Sequence, residues 1–261
     1  MAQVADGTGS DVSVEEANQR LERCLQEVDL EVMTPLGVLR WASSQFDGRA
    51  AISTSFQTTG MVMLHMAWEE GLDLRVATVD TLRLHPETYA FMREVAARYG
   101  RPLEVVQPDP GQVQRMVERF GEYLFFDSKE KQEYCCQVRK VRPHNELLRT
   151  LDCWITGLRR DQSSYRQDTT RKASLVSEYG TARRILKLAP LADWSEEEVR
   201  RYCQGHGVPV HPLYELGYPS FGCVICATPV RPGEPKRAGR WRWFNESRQS
   251  DAKECGLHYS I

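Results

Sequence analysis

Apolar and polar positions follow two rhythms along this 261-residue chain. Ser13 with Glu16 three residues later has the form of a capping box and predicts a helix to about residue 27. Thr34-Pro35 predicts a second helix, with proline at its first position. Short runs of small and branched residues then take over. Residues 49–54, 74–79, 103–106 and 153–157 read as buried strands; 61–69, the stretch from Pro86, 111–119 and 129–149 read as helices. Ser195 and Glu198 repeat the capping box ahead of a helix to about residue 204. Strands alternating with helices imply right-handed βαβ units and a parallel sheet. After Gly207 periodicity gives way to Pro, Gly and aromatic residues. The expected organisation is a disordered, polar 1–12, one α/β domain over 13–240, and a tail over 241–261.

Composition narrows the function classes. Hydrophobic content of 41% and charged content of 27% exclude a largely disordered or fibrous chain. The 34 basic and 36 acidic residues leave a net charge of −2. A general binder of nucleic acid or membrane surface would be basic, so neither partner is expected. No apolar run reaches the roughly 18 residues of a spanning helix, and the N-terminus lacks the basic and apolar regions of a signal peptide. The expected location is cytoplasmic. In that reducing compartment the eight cysteines do not read as a disulfide framework.

Their grouping matters more. Cys135-Cys136 and Cys223-x-x-Cys226 offer four soft thiolates, suited to zinc or to an iron–sulfur cluster. Adjacent side chains on a helix diverge by about 100°, which spans a cuboidal [4Fe–4S] cluster more easily than one tetrahedral ion. On spacing alone, the cluster, zinc and uncoordinated thiols all stay open. Cys255, in Lys253-Glu254-Cys255-Gly256-Leu257-His258, reads as an ordinary tail thiol or as an exposed nucleophile of lowered pKa.

The turn from Ser53 to Gly60 follows a strand and precedes a helix, a place where N–H groups and hydroxyls hold anions. It lacks the G-x-x-x-x-G-K-[ST] pattern, so it is not a Walker loop; an ordinary turn is the plainer reading. Basic residues form two groups, Arg159, Arg160, Arg166, Arg171, Lys172 and Arg231, Lys236, Arg237, Arg240, Arg242. Guanidinium forks recognise phosphate and sulfate, while about half the groups are expected to be solvated surface. Trp241 and Trp243 alternate with arginines, as base-stacking residues would or, preferably, as core aromatics of an alternating segment. Cys24, Cys153 and Cys203 read as buried packing, and His65, His85, His144, His206 and His211 as structural, since none shows ligand spacing.

These motifs, in order, resemble the assimilatory sulfonucleotide reductases of the iron–sulfur type, over residues 53–258. The resemblance rests on Ser53-Thr54-Ser55-Phe56-Gln57, Val79-Asp80-Thr81, Pro86-Glu87-Thr88-Tyr89, Cys135-Cys136-x-x-Arg139-Lys140 and the run from Thr156 to Ser163. Asp193-Trp194-Ser195, Cys223-x-x-Cys226, Arg237-Ala238-Gly239-Arg240-Trp241 and the Cys255 tail complete it. It implies a parallel sheet with a mixed edge, flanked by helices as in the adenine-nucleotide hydrolases, an irregular C-terminal segment and a mobile tail. The 53–60 turn becomes a relative of their pyrophosphate loop, with Phe56-Gln57 in place of glycines.

The implied activity is reduction of adenylyl sulfate (APS) to sulfite and AMP in sulfate assimilation and cysteine biosynthesis, with thioredoxin as donor. Cys255 is then the nucleophile and would carry an S-sulfocysteine. Cys135, Cys136, Cys223 and Cys226 hold [4Fe–4S], and Ser53, Ser55, Lys140, Arg166, Arg237, Arg240 and His258 bind substrate. A homo-oligomer is compatible with all of this. The alternative within the family is a reductase of the 3′-phosphorylated substrate, or one accepting both. Outside it stand a tRNA-sulfur-modifying pyrophosphatase, lacking here its Gly-rich loop, and a zinc module binding nucleic acid. Two departures are visible: Ala227-Thr228 follows Cys226 where Thr-Arg is common, and Pro235 replaces an acidic residue.

Overall fold

The computed structural model describes residues 13–177 and 180–245. The expectations for 1–12, Cys255 and His258 lie outside the described residues. Both capping boxes form. Ser13 opens α1 (Val14–Glu27), its backbone N–H donating to Glu16 at 2.9 Å while its hydroxyl accepts from the Glu16 N–H at 3.2 Å. Ser195 and Glu198 do the same for α9 (Glu196–His206), at 2.7 and 3.2 Å. Thr34 caps α2 (Pro35–Phe46), and α4 (Pro86–Tyr99), α5 (Pro110–Phe120) and α8 (Ser164–Thr169) lie further along the chain.

The four expected strands are present as β1 (Ala50–Ser53), β2 (Arg75–Val79), β3 (Glu104–Val106) and β4 (Cys153–Thr156). A hairpin that the hydrophobic pattern does not predict, β5 (Ala173–Ser177) and β6 (Arg184–Leu188), completes the sheet. The order is β3-β2-β1-β4-β6-β5, parallel throughout except for β5, which runs antiparallel to β6 at the edge. The alternation along the central strands divides the core. Ala50, Ile52, Cys153 and Ile155 pack with α2, α3 (Thr58–Glu69) and α9 on one face, whereas Ala51 and Trp154 pack against Leu147 and Leu148 on the other. Strand order reverses between β1 and β4, and such switch points open a crevice at the carboxyl ends of the strands.

Three local features depart from the expected pattern. The helix expected over 129–149 is split into α6 (Lys129–Cys136), a π-helical turn (Gln137–Val141) and α7 (Arg142–Arg149). Pro143 lacks an N–H and cannot continue the ordinary ladder, so the turn before it widens and Arg142 N–H reaches back five residues to Gln137. Lys140 is therefore not stacked above Cys136 as one continuous α-helix would place it. Residues 241–245 are not an alternating segment: Trp241 turns at φ +48° and Arg242–Asn245 form a single helical turn, α10. Cys153 and Cys203 are buried as expected, but Cys24 is only half-buried on α1.

Candidate active site

The crevice at the switch point is built first by β1 and the turn after it. Thr54 Oγ1 accepts from Phe56 N–H at 2.9 Å, which tightens the turn. Phe56 takes φ +59°, the backbone a glycine would supply, yet its ring is fully buried edge-on to Phe91. The buried ring thus anchors the turn in a backbone conformation that glycine would otherwise supply. α3 begins three residues earlier than the apolar pattern indicates, because Thr58, Thr59 and Gly60 form its first turn and carry no apolar signal. The first N–H groups of a helix have no intrahelical acceptor; that of Thr58 donates to Tyr214 Oη at 3.2 Å. Gly60 is required, since an added Cβ would collide with Thr54 Oγ1.

Arginines from the segment after β4 and from the C-terminal segment close the crevice. Arg159, 5% exposed, donates to Thr59 Oγ1 at 2.5 Å and to Asp161 at 2.9 Å. Asp161 also accepts from Glu196 N–H at 2.6 Å, which ties this segment to the start of α9. Arg166 is hydrogen-bonded to Gln162 and Lys236 to Glu196. Arg240 approaches Gly222 so closely that a Cβ there would lie 2.8 Å from its guanidinium, and it stacks over Trp241 at 5.0 Å.

The resulting cavity holds about 290 Å³, the small end of the range for ligand sites. All six described residues expected to bind substrate line it: Ser53, Ser55, Lys140, Arg166, Arg237 and Arg240. Sequence reasoning missed Thr59, Thr156, Gln162, Tyr214 and His144 as lining residues, and had Arg159 and Lys236 only as members of basic clusters. The remaining cluster members are not all the solvated surface that is the plain expectation for about half of them. Lys172 is buried, paired with Asp193 at 2.8 Å and donating to two backbone carbonyls; Arg160 pairs with Glu31 and Arg242 with Glu234.

The four clustered cysteines lie beside this cavity. Cys135 and Cys136 end α6; Cys223-Val224-Ile225-Cys226 forms a tight turn anchored by Val224 N–H to Arg83 O at 2.8 Å. Ile225 packs against the apolar cluster that contains Cys135, so the two cysteine segments meet. Burial pushes the Cys226 thiol up, with Cys223 and Cys135 adding to the effect and Arg240 opposing it. Burial likewise raises Cys135, against the pull of Arg139 and Arg83. Thr81 Oγ1 lies 3.1 Å from Cys223 Sγ. Among the described residues, no three Cys, His, Asp or Glu side chains gather to hold a single metal ion. Four thiols in no disulfide, with Arg83, Arg139 and Arg240 around them, fit an anionic, thiolate-ligated cluster in donor type and in countercharge.

Comparison with known proteins follows the same lines. A family model described as phosphoadenosine phosphosulfate reductase domain matches residues 49–229. A Burkholderia cepacia protein named adenosine 5′-phosphosulfate reductase is 40% identical over 210 residues, 80% of each chain. One of the same name from Neisseria meningitidis is 35% identical over 97% of this chain and 93% of its own. Among solved structures, the phosphoadenylyl-sulfate reductase of Candida auris in a phosphate complex superposes with TM-score 0.64 at 26% identity, covering 82% of this chain and 97% of that one. The FMN adenylyltransferase of Candida glabrata, at TM-score 0.51 and 15% identity, covers 96% of this chain and 80% of its own and shares the fold. No helix among the described residues is long and apolar enough to cross a membrane.

Proposed function

The chain belongs to the phosphoadenosine phosphosulfate reductase family, and from that premise we propose that it reduces adenosine 5′-phosphosulfate to sulfite and AMP with a thioredoxin-type dithiol as reductant. The observation that carries this reading is the cavity at the β1/β4 switch point. It gathers the hydroxyls of Ser53, Ser55 and several threonines with six cationic side chains, Lys140, Arg159, Arg166, Lys236, Arg237 and Arg240, next to four clustered thiols. Ser53, Ser55 and the first turn of α3 suit one anionic group, and Arg166, Arg237, Arg240 and Lys140 suit the other. Two anionic oxygen clusters joined by an anhydride are what such a surface would neutralise.

Neutralisation matters because the nucleophile is itself an anion. The Cys255 thiolate attacks the sulfate sulfur, the S–O bond to phosphate breaks, and AMP leaves with that electron pair. Cys255 then carries the sulfonate. A dithiol thiolate attacks the Cys255 sulfur, sulfite departs with the S–S electron pair, and the second thiol resolves the mixed disulfide. The dithiol loses two electrons and sulfur gains them, so no other oxidant or reductant is needed. Fixed guanidinium groups that offset the charge of the first step act as preorganised electrostatic catalysis.

Cys135, Cys136, Cys223 and Cys226 would hold [4Fe–4S], which supplies a fixed charge and a covalent tie between α6 and the C-terminal segment. Lys140 and Arg240, which reach the cavity from the two cysteine-bearing segments, would transmit that tie to the substrate anions. A cytoplasmic location agrees with free thiols and the use of a dithiol donor. The 3′-phosphorylated substrate is the second reading, favoured by the Candida auris likeness.

The deciding experiment is anaerobic turnover of both sulfonucleotides with thioredoxin, scoring sulfite and nucleotide, with iron and acid-labile sulfide assayed in the same preparation. Turnover of adenosine 5′-phosphosulfate alone, lost in Cys255→Ser, is the expected result. Comparable use of both substrates would broaden the specificity. No turnover of either by protein with a full cluster would sink the proposal, and absence of iron after anaerobic purification would sink the cluster assignment.

A further inference from the structure

Among the described residues, His144 is the one histidine that enters the cavity lining, and no feature of its spacing assigns it a role. It stands in the first turn of α7, with no accessible surface. Its Nε2 lies 3.4 Å from Ser53 Oγ at the end of β1. Its ring meets Trp154 of β4 edge-on, at 4.9 Å and 68°. Its Nδ1 is buried and has no hydrogen-bond partner. Burial holds the ring far below the usual histidine range, at about 3, with Lys140 and Lys187 adding to the effect, so the imidazole is neutral at physiological pH.

A neutral imidazole carries one N–H, on either nitrogen. Placed on Nδ1, the proton would be a buried donor with no acceptor, a rare and costly arrangement. Placed on Nε2, it points at Ser53 Oγ and leaves only a bare acceptor unpaired, which is tolerated more often. We infer that His144 is a positioning residue: its Nε2–H donates to Ser53 Oγ, occupies a lone pair of the hydroxyl, and turns the Ser53 proton into the cavity as a donor to an oxyanion of the ligand. Without the imidazole, the Ser53 hydroxyl has a choice of orientations and must be ordered when ligand binds. That the oxyanion is the 5′-phosphate of a sulfonucleotide rests on the proposed reaction. The tautomer does not.

The test uses AMP as probe, with affinities measured by calorimetry on the cluster-loaded protein. His144→Leu is expected to weaken AMP about tenfold, the scale of one charge-assisted hydrogen bond. His144→Gln, whose amide N–H reaches near the Nε2 position, is expected to recover most of that loss. In a Ser53→Ala background, His144→Leu is expected to change nothing further, since it acts through the hydroxyl. Long-range ¹H–¹⁵N correlation of the histidines should show protonated Nε2 and bare Nδ1 at residue 144 between pH 6 and 8. Undiminished affinity in His144→Leu, losses that add with Ser53→Ala, or a proton on Nδ1 would each overturn the inference. Failure of the wild-type protein to bind AMP would overturn the proposed function instead, and the tautomer measurement would still judge His144.

Discussion

Leu82 carries a left-handed backbone, φ +59°, with its side chain 46% exposed. A branched apolar residue gains little there from its partial burial and bears the steric cost of Cβ against the carbonyl. The turn is enforced from both sides: Asp80 Oδ1 accepts Leu82 N–H at 2.8 Å, and Arg83 O receives Val224 N–H from the cysteine turn. Leu82→Gly is therefore expected to stabilise the protein by about 0.5–1 kcal/mol, the relief of about 1–2 kcal/mol less the added entropy of an unfolded glycine. Urea unfolding would read this, with Leu82→Ala, which keeps the strain, expected to show no gain. A loss in Leu82→Gly would mean that the side chain has a contact worth more than the strain. Phe56 has the same φ but the opposite economy of contacts, being fully buried. Phe56→Gly is expected to destabilise by more than about 2 kcal/mol despite the relieved backbone, because the lost core contacts and cavity dominate. A smaller loss would show that the ring is not what fixes the loop.

At the scale of elements, the C-terminal segment is a set of short backbone ties rather than a helix or sheet. Ala227 and Arg240 form an isolated bridge, Thr228 N–H donates to Gly239 O at 2.9 Å, and Trp241 N–H donates to Cys226 O at 3.1 Å. These ties set Arg240 and Cys226 relative to each other. An added Cβ at Gly239 would run into the Thr228 carbonyl, which has no freedom to move aside. Gly239→Ala is expected to lower kcat/KM by about a hundredfold, the scale of a misplacement near 1 Å. It should also lower bound iron while leaving far-UV dichroism unchanged. Wild-type turnover and iron content would show that the ties do not position the site. This segment also shows where the sequence was legible and where it was not. Its arginines and cysteines were readable, because their type and order carry chemistry. Its geometry was not, since ties between residues eleven to fifteen apart leave no periodic trace. The capping boxes at Ser13 and Ser195 were readable because their hydrogen bonds are local. The π turn before Pro143 was hidden within a helical periodicity too coarse to register one extra residue. The β5–β6 hairpin was hidden because five-residue strands holding Ser174, Lys187 and Arg184 give a weak alternation. In the cavity, Arg159 and Tyr214 act through Thr58 and Thr59, contacts that only the fold creates.

At the scale of the whole molecule, buried histidines make stability depend on pH. Burial holds His144 at about 3 and His211 at about 4, and lowers His65 and His85 as well. The charged groups facing His144 are Lys140 from the π turn and Lys187 from β6, both opposing its protonation. In the unfolded chain each histidine takes up a proton near pH 6.5. Below that pH the unfolded state binds more protons than the native state, so stability falls as pH falls, and it is flat with respect to these groups above about 6.5. Asp152 adds a later loss: burial raises it, but its pairs with Arg49 and Arg183 prevail, so its contribution disappears only as its carboxylate protonates. Each fully buried neutral histidine contributes a slope of at most about 1.4 kcal/mol per pH unit between pH 6 and 5. The acid lability of a bound cluster would add its own loss, which a comparison within one series removes. Unfolding free energies of wild type and His144→Leu, measured from pH 8 to 5 with equal iron content, are expected to run parallel down to about pH 6.5. They then diverge by about one proton's slope, the variant falling less. At pH 8 the two are expected to differ by no more than about 1 kcal/mol, since leucine removes the unpaired Nδ1 together with the hydrogen bond to Ser53 Oγ and strands no charge. Parallel curves over the whole range would mean that His144 gains its proton in the native state, and that the imidazole is reached by water when the cavity opens.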